Sequence, residues 1–269
     1  MENTSSQRSS FDQWLLAADD NLYVDEIKRR EAFFIPKFLE LVSSVDSYHQ
    51  LILLSQSLQM VLGGLKPVTS FVVDKKLYSL YKSKGMVGYF DMKSLAVLLF
   101  ELFDVRLEQK KETSLQYEYY VYNPRLIAQL QKKHPKILRY NDEMLSTYIA
   151  NSLHAGVNQI LLMGLLFGIP MSAVKQYSKY MTHTACRLND RLLVSSYGEG
   201  YYVWGQAYKR DVIVREKYKE LFFMKLASSP QYRQCISTLN HVASPYRELS
   251  RKMFEYSLYM NQIQHDLED

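Results

Sequence analysis

Cysteine is almost missing from this chain. Cys186 and Cys235 are the two among 269 residues, too few for a disulfide framework and no argument for an oxidising compartment. Metal ligation is equally ill supplied. His183 and Cys186 have an H-x-x-C spacing, but no second Cys/His pair with metal-ligand spacing completes the four donors of a closed zinc site. The expectation is no metal and no cofactor. The G-x-S-x-G elbow, the phosphate-cradling P-loop and the H-E-x-x-H helix are absent as well. Gly198 and Gly200 do form a G-x-G, but they lie between strand-forming residues, where a tight turn explains them. No catalytic residue can be named, and an enzyme here would need a site assembled from distant positions.

The chain also lacks a membrane-length apolar run. Residues 155–174 carry no formal charge, but Asn158, Gln159 and Ser172 interrupt them and Pro170 lies near their end. The dense apolar part, 160–171, falls short of the roughly 20 residues of a spanning helix. The opening MENTSSQRSS is polar and has no apolar signal core behind it. Residues 1–10 read as a disordered tail and 11–269 as a single mainly helical domain, with a cytoplasmic location expected.

What is present is a folded protein's balance: 47% apolar and 23% charged residues, enough to bury a substantial core. Tyrosine is abundant, with 22 residues. It buries a ring while leaving a hydroxyl at the surface, which suits core rims, grooves and interfaces. The net charge of +5 is unevenly placed: residues 171–225 hold ten basic side chains against five acidic ones, the whole excess of the chain. Such asymmetry suits an anionic partner.

Periodicity predicts helices over most of the length. The first covers 11–42, with a kink or a junction of two helices at Pro36. Asp46 or Ser47 caps the next, which runs through LILLSQSLQMVL and stops at Gly63-Gly64. Val68, Phe71, Val72 and Val73 favour an extended segment, and Asp74 is a cap for KKLYSLYKSKG. MKSLAVLLFELFDVRLEQKKE reads as one buried helix with a solvated charged end. In SLQYEYYVYNP, alternation puts Tyr117, Tyr119 and Val121 on one strand face, with Glu118, Tyr120 and Tyr122 on the other. Helix resumes over 125–133 and again from Asn141, its expected cap. RLLVSSYGEGYYVWGQAY reads as a hairpin, and helix follows from about 211 with breaks at Ser229-Pro230 and Ser244-Pro245. The fold class expected is mainly α (α+β), with a buried central helix near 157–168 and a small antiparallel sheet or hairpin.

The stretch QILLMGLLFGIPMSAVKQYSKY bears most on function. Its spacings resemble the general helix-turn-helix pattern. Gly168 is at the turn, Gly164 faces a second helix, and Met163, Phe167, Ile169, Val174 and Tyr177 form the shared seam. That resemblance implies a recognition helix over 171–180, with Ser172, Lys175, Gln176 and Lys179 reaching bases or phosphates. Against it, Leu161, Leu162, Leu165 and Leu166 would form a wet outer face on the first helix. Four leucines prefer burial by about 1.5–3 kcal/mol each, and a helix apolar all round belongs inside a protein. Ser152, Gly156, Gly164 and Gly168 share a four-residue spacing that predicts one small-residue face for a neighbouring helix. The core reading is favoured.

The sequence therefore points to a non-catalytic binding protein whose basic, tyrosine-rich C-terminal half contacts an anionic or protein partner. The expected contacts are Ser172, Lys175, Gln176, Lys179, Tyr202, Lys209 and Arg210. A DNA-binding regulator and an enzyme are the alternatives. His154 and Asn158, four apart near Tyr148, are expected to share a helix face, either as hydrogen-bonded structural groups or as the lining of a pocket.

Overall fold

The first helical stretch divides at Ala32 and Phe33, just ahead of Pro36. In the computed structural model, which describes residues 20–169 (except 84, 86 and 88–90), 192–194, 202–204, 220–241 and 244, α1 (Asp20–Glu31) gives way to α2 (Phe34–Ser44). Pro36 lies in the first turn of α2, where its missing N–H forfeits no intrahelical bond. Phe34, Phe38 and Leu41 line the buried side of α2. The Phe34 ring stacks on Phe38 at 5.5 Å and meets Phe103 edge-on at 5.8 Å. This aromatic group lies within the main core.

Asp46 caps α3 (Ser47–Leu53) by accepting the His49 N–H. The run LILLSQSLQMVL is not one helix. Ser55 ends the first piece and caps α4 (Gln56–Leu62) by accepting the Leu58 N–H, an alternative that serine offers the backbone. At Gly64 φ is +78°, and a Cβ there would lie 2.7 Å from Glu26 Cγ.

A buried ion cluster ties this end together. Glu26 and Arg30 are 1% and 0% exposed. Arg30 Nε donates to the Glu26 carboxylate at 2.6 Å, and Arg30 Nη1 donates to the Leu62 carbonyl at 2.9 Å. Arg29 adds a bidentate pair and Asn123 a further N–H donor. Burial alone would raise the Glu26 pKa, but the hydrogen bonds from Arg29 and Arg30 outweigh it and hold it at about 2.

The sheet comprises β1 (Val68–Asp74), β2 (Arg106–Glu112) and β3 (Gln116–Tyr122) in the antiparallel order β1-β3-β2. Between β1 and β2 lie α5 (Lys75–Ser83), capped by Asp74, and α6 (Met92–Phe103). Residues 106–112 correct an expectation, because they are strand and not the charged end of a helix. Asp104 takes a left-handed conformation (φ 52°) and terminates α6. Pairing with β3 then overrides the helical propensity of Arg, Leu, Glu, Gln and Lys. Nor is α6 buried all round. Leu95, Leu99 and Phe103 face inward, while Val97 and Phe100 are 54% and 52% exposed.

Asn123 caps α7 (Pro124–Lys133), with Pro124 at its start. Asn141 does not cap the following helix. Residues 141–144 are irregular, with Asp142 at φ 69°, and α8 (Leu145–His154) begins later. Its first N–H groups are received by the Glu108 carboxylate of β2.

The central stretch lies inside the protein. In α9 (Gln159–Leu166), Leu162, Gly164, Leu165 and Leu166 are buried, and Ile160, Leu161, Met163 and Phe167 pack partly buried on the same core. The expected single small-residue face does not form. Gly156 (φ 81°) separates α8 from α9, and Gly168 (φ 72°) follows the end of α9, where a Cβ would lie 2.9 Å from Pro67 Cδ. Among the described residues no helix is long and apolar enough to cross a membrane.

Further on, β4 (Leu192–Val194) pairs antiparallel with β5 (Tyr202–Trp204), as expected of the hairpin, whose turn lies outside the described residues. Helices α10 (220–228) and α11 (230–241) are separated at Ser229, as expected, and the Ser229 hydroxyl accepts the Tyr232 N–H. Both return to the start of the chain. The Phe222 ring meets Phe34 edge-on at 5.0 Å, and Tyr232 donates its hydroxyl to Gln59 Oε1 at 2.7 Å. The described residues are thus mainly helical with a small antiparallel sheet, the α+β class expected.

Candidate functional site

Strand alternation builds a tyrosine-lined cleft. Tyr117 and Tyr119 share one face of β3, opposite Val73 and Phe71 of β1, with Gln109 of β2 beside Tyr119. The Phe71 ring stacks on Tyr119 at 5.3 Å. Tyr120 and Tyr122, one residue out of phase, enter the main core instead. Tyr78 comes from α5, braced by the Tyr48 ring edge-on at 5.1 Å. Asp91 and the first turns of α6 close the other side with Met92, Lys93 and Ala96. The cleft measures about 440 Å³, within the usual range for a small-ligand site.

Its electrostatics are those of neutral phenols near ionised carboxylates. Burial raises the Tyr78 pKa, and the charges of Asp46 and Asp91 raise it further. Burial likewise raises Tyr119, with Tyr117, Tyr78 and Glu112 adding to it. Asp91 is held below the ordinary carboxylate value because the Ser94 N–H and hydroxyl donate to it at 2.8 and 2.9 Å. Lys75 pairs with Glu112 at 2.6 Å and lies 4.3 Å from the Tyr117 ring centroid, a cation–π contact. The cleft thus offers aromatic walls, hydroxyl groups and a fixed negative charge.

A second groove, about 550 Å³, lies where α8 passes into α9. Lys136 and Arg139 stand on one wall, with Tyr148, Asn151 and Asn158 on the others. The Arg139 N–H donates to the Tyr148 hydroxyl at 2.9 Å, and the Asn158 side chain caps α9 by accepting the Leu161 N–H. His154 and Asn158 do not share a helix face, because the chain breaks at Ala155–Gly156 between them. Asn158 lines the groove near Tyr148. His154 is the exposed last residue of α8.

Ser172, Lys175, Gln176, Lys179, Lys209 and Arg210 lie outside the described residues. Tyr202 begins β5, with its backbone opposite Val194. Sequence reasoning placed Tyr117 and Tyr119 together on a strand face but did not anticipate the cleft. The missing signal was the pairing partner: Leu107 and Gln109 alternate toward the cleft within RLEQKKE, whose composition reads as helix.

Among the described residues no group of three or more His, Cys, Asp or Glu is arranged to hold a metal ion. Compared with known proteins, the chain matches no family model, no curated protein and no solved structure.

Proposed function

We infer that this chain is a non-catalytic binding protein that engages a protein or anionic partner through tyrosine-bearing surface. The observation that carries this reading is the commitment of polar groups around the tyrosine cleft. Asp91 Oδ1 is engaged in capping α6, and Glu112 pairs with Lys75. The walls are left with rings and phenolic groups, which hold a partner well and move protons poorly near neutral pH. Val97 and Phe100 add exposed apolar surface on α6, the helix that walls the cleft, and clustered exposure of this kind marks interaction sites. The basic stretch 171–225, with Lys175, Lys179, Lys209 and Arg210, is the proposed contact for an anionic partner.

Burial of Leu162 and Leu166 weighs against the DNA-reading alternative, since a first helix crossing a nucleic-acid backbone needs a solvated outer face. Site-specific photo-crosslinking tests the inference, with benzoylphenylalanine at Ala96 in the cleft wall and at exposed Ser43 as control. A discrete adduct formed from position 96 alone supports it, and identical patterns from both positions overturn it. A gel shift across a salt series covers the nucleic-acid arm. Sequence-preferring, steeply salt-dependent binding abolished by Lys175→Ala with Lys179→Ala would replace this reading with the regulator.

A further inference from the structure

We propose that the tyrosine cleft binds an organic cation, an alkylated ammonium headgroup held among Tyr78, Tyr117 and Tyr119 with Asp91 as its counter-ion. The proposal rests on reading the cleft as a binding surface and specifies what enters it.

Three observations converge on a cation. Aromatic rings from two separate elements, α5 and β3, line one cleft of about 440 Å³, and the negative face of an aromatic ring attracts a cation placed over it. Ammonium groups already lie on this sheet's tyrosines: Lys75 Nζ is 4.3 Å from the Tyr117 centroid, and Lys110 Nζ is 5.2 Å from that of Tyr120. Lys110 is on the opposite sheet face, and Lys75 is paired with Glu112. Three carboxylates and two lysines, Lys75 and Lys93, surround the phenols, and Lys75 is paired with Glu112. Asp91 lies in the cleft wall, and the charges of Asp46 and Glu112 also act on Tyr78 and Tyr119. Lys93 is the opposing charge in the lining.

An anion would meet Asp91 and the charge of Asp46 with Lys93 to favour it, Lys75 and Glu112 being paired with one another. A purely apolar ligand would leave Asp91 and the phenolic hydroxyls facing hydrocarbon, which is unfavourable. A quaternary ammonium suits both features, because it is weakly hydrated, bulky and positively charged. Free amines and alkylated lysine side chains present the same headgroup, so both belong in the test.

The experiment is calorimetric titration of the full chain with choline, with its neutral isostere 3,3-dimethylbutan-1-ol, and with a short peptide carrying trimethyl-lysine. Choline or the peptide should bind at least about tenfold more tightly than the neutral isostere. Tighter binding of the peptide than of choline identifies a protein partner as the source, and the reverse identifies a free amine. Tyr117→Phe should retain binding, while Tyr117→Leu should weaken it about tenfold by removing the π face. Asp91→Asn should weaken it while preserving the α6 cap, since asparagine caps as well as aspartate. Lys93→Gln should tighten it. Equal binding of cation and isostere, or binding indifferent to Tyr117→Leu and Asp91→Asn, overturns the proposal. Absence of binding by every probe also overturns it. If position 96 still crosslinks specifically, only the ligand class has failed and the binding-protein reading stands.

Discussion

Glu108 in the middle of β2 receives the backbone N–H of Leu145, the first residue of α8, at 2.8 Å. Its other carboxylate oxygen accepts the Ser146 N–H at 2.6 Å. Met144, at the capping position itself, makes no side-chain cap bond. A helix whose first amides need a partner is thus capped by a strand residue 37 positions earlier, and the negative charge also suits the positive end of the helix dipole.

Glu108→Ala should therefore destabilise the protein by about 1–2 kcal/mol, the scale of a lost N-cap. Asn141→Ala, at the position that looks like a cap in the sequence, should change stability by no more than about 0.5 kcal/mol. Urea unfolding of both variants measures this. Equal effects would mean that the cap is misassigned.

The Glu26 cluster sets an acid limit. The folded pKa of about 2 lies below the ordinary 4.5. The cluster's contribution is therefore complete above about pH 4.5 and declines as pH falls toward 2. The difference corresponds to roughly 3 kcal/mol. Glu26→Gln should flatten the stability profile over that window and destabilise by about 3–5 kcal/mol at neutral pH, because Arg30 is left as an uncompensated buried charge. Replacing both, as Glu26→Leu with Arg30→Met, should be milder than the single change. Denaturation midpoints from pH 2 to 7 decide it, and a single variant that retains the acid decline would remove Glu26 from its cause.

The two apolar helices should answer mutation differently. Leu162→Ala in α9 should cost about 2–5 kcal/mol, as expected where a fully buried leucine leaves a cavity. Phe100→Ser on α6 should cost less than about 1 kcal/mol, because that ring is half exposed. Thermal unfolding provides the comparison. A Phe100→Ser loss matching that of Leu162→Ala would mean that α6 is covered on its outer side.

The link between Tyr232 and Gln59 is the fourth test. Tyr232→Phe keeps the ring but leaves Gln59 Oε1 without its hydroxyl donor in a buried setting. A loss of about 1–3 kcal/mol is expected from equilibrium unfolding. No loss would show that water or another donor serves the amide equally well.

What could be read from the sequence was what short stretches decide for themselves. Asp46, Asp74 and the break at Ser229-Pro230 act within one helical turn, so composition exposed them. The burial of Leu162 and Leu166 was legible because no solvated arrangement accommodates so many leucines together. Strand β2 was hidden: RLEQKKE favours helix locally and becomes strand through pairing with β3. The cleft was hidden for the same reason, since Tyr78, Asp91, Gln109 and Tyr117 meet through sheet pairing and helix packing. The α8–α9 break was concealed by glycines whose spacing mimics a helix face, although Gly156 and Gly168 actually take positive φ.

Tyr232 closes against Gln59 across 173 positions, and Phe222 lies against Phe34 from a similar distance. On the ribosome, at roughly 5–20 residues per second, the earliest helices wait on the order of ten to thirty-five seconds for these rings to be made. Throughout that interval the phenylalanines of α2 lack one of their native neighbours. A nascent chain stalled short of α10 would display that uncovered aromatic seam to whatever chaperone or protease is nearby.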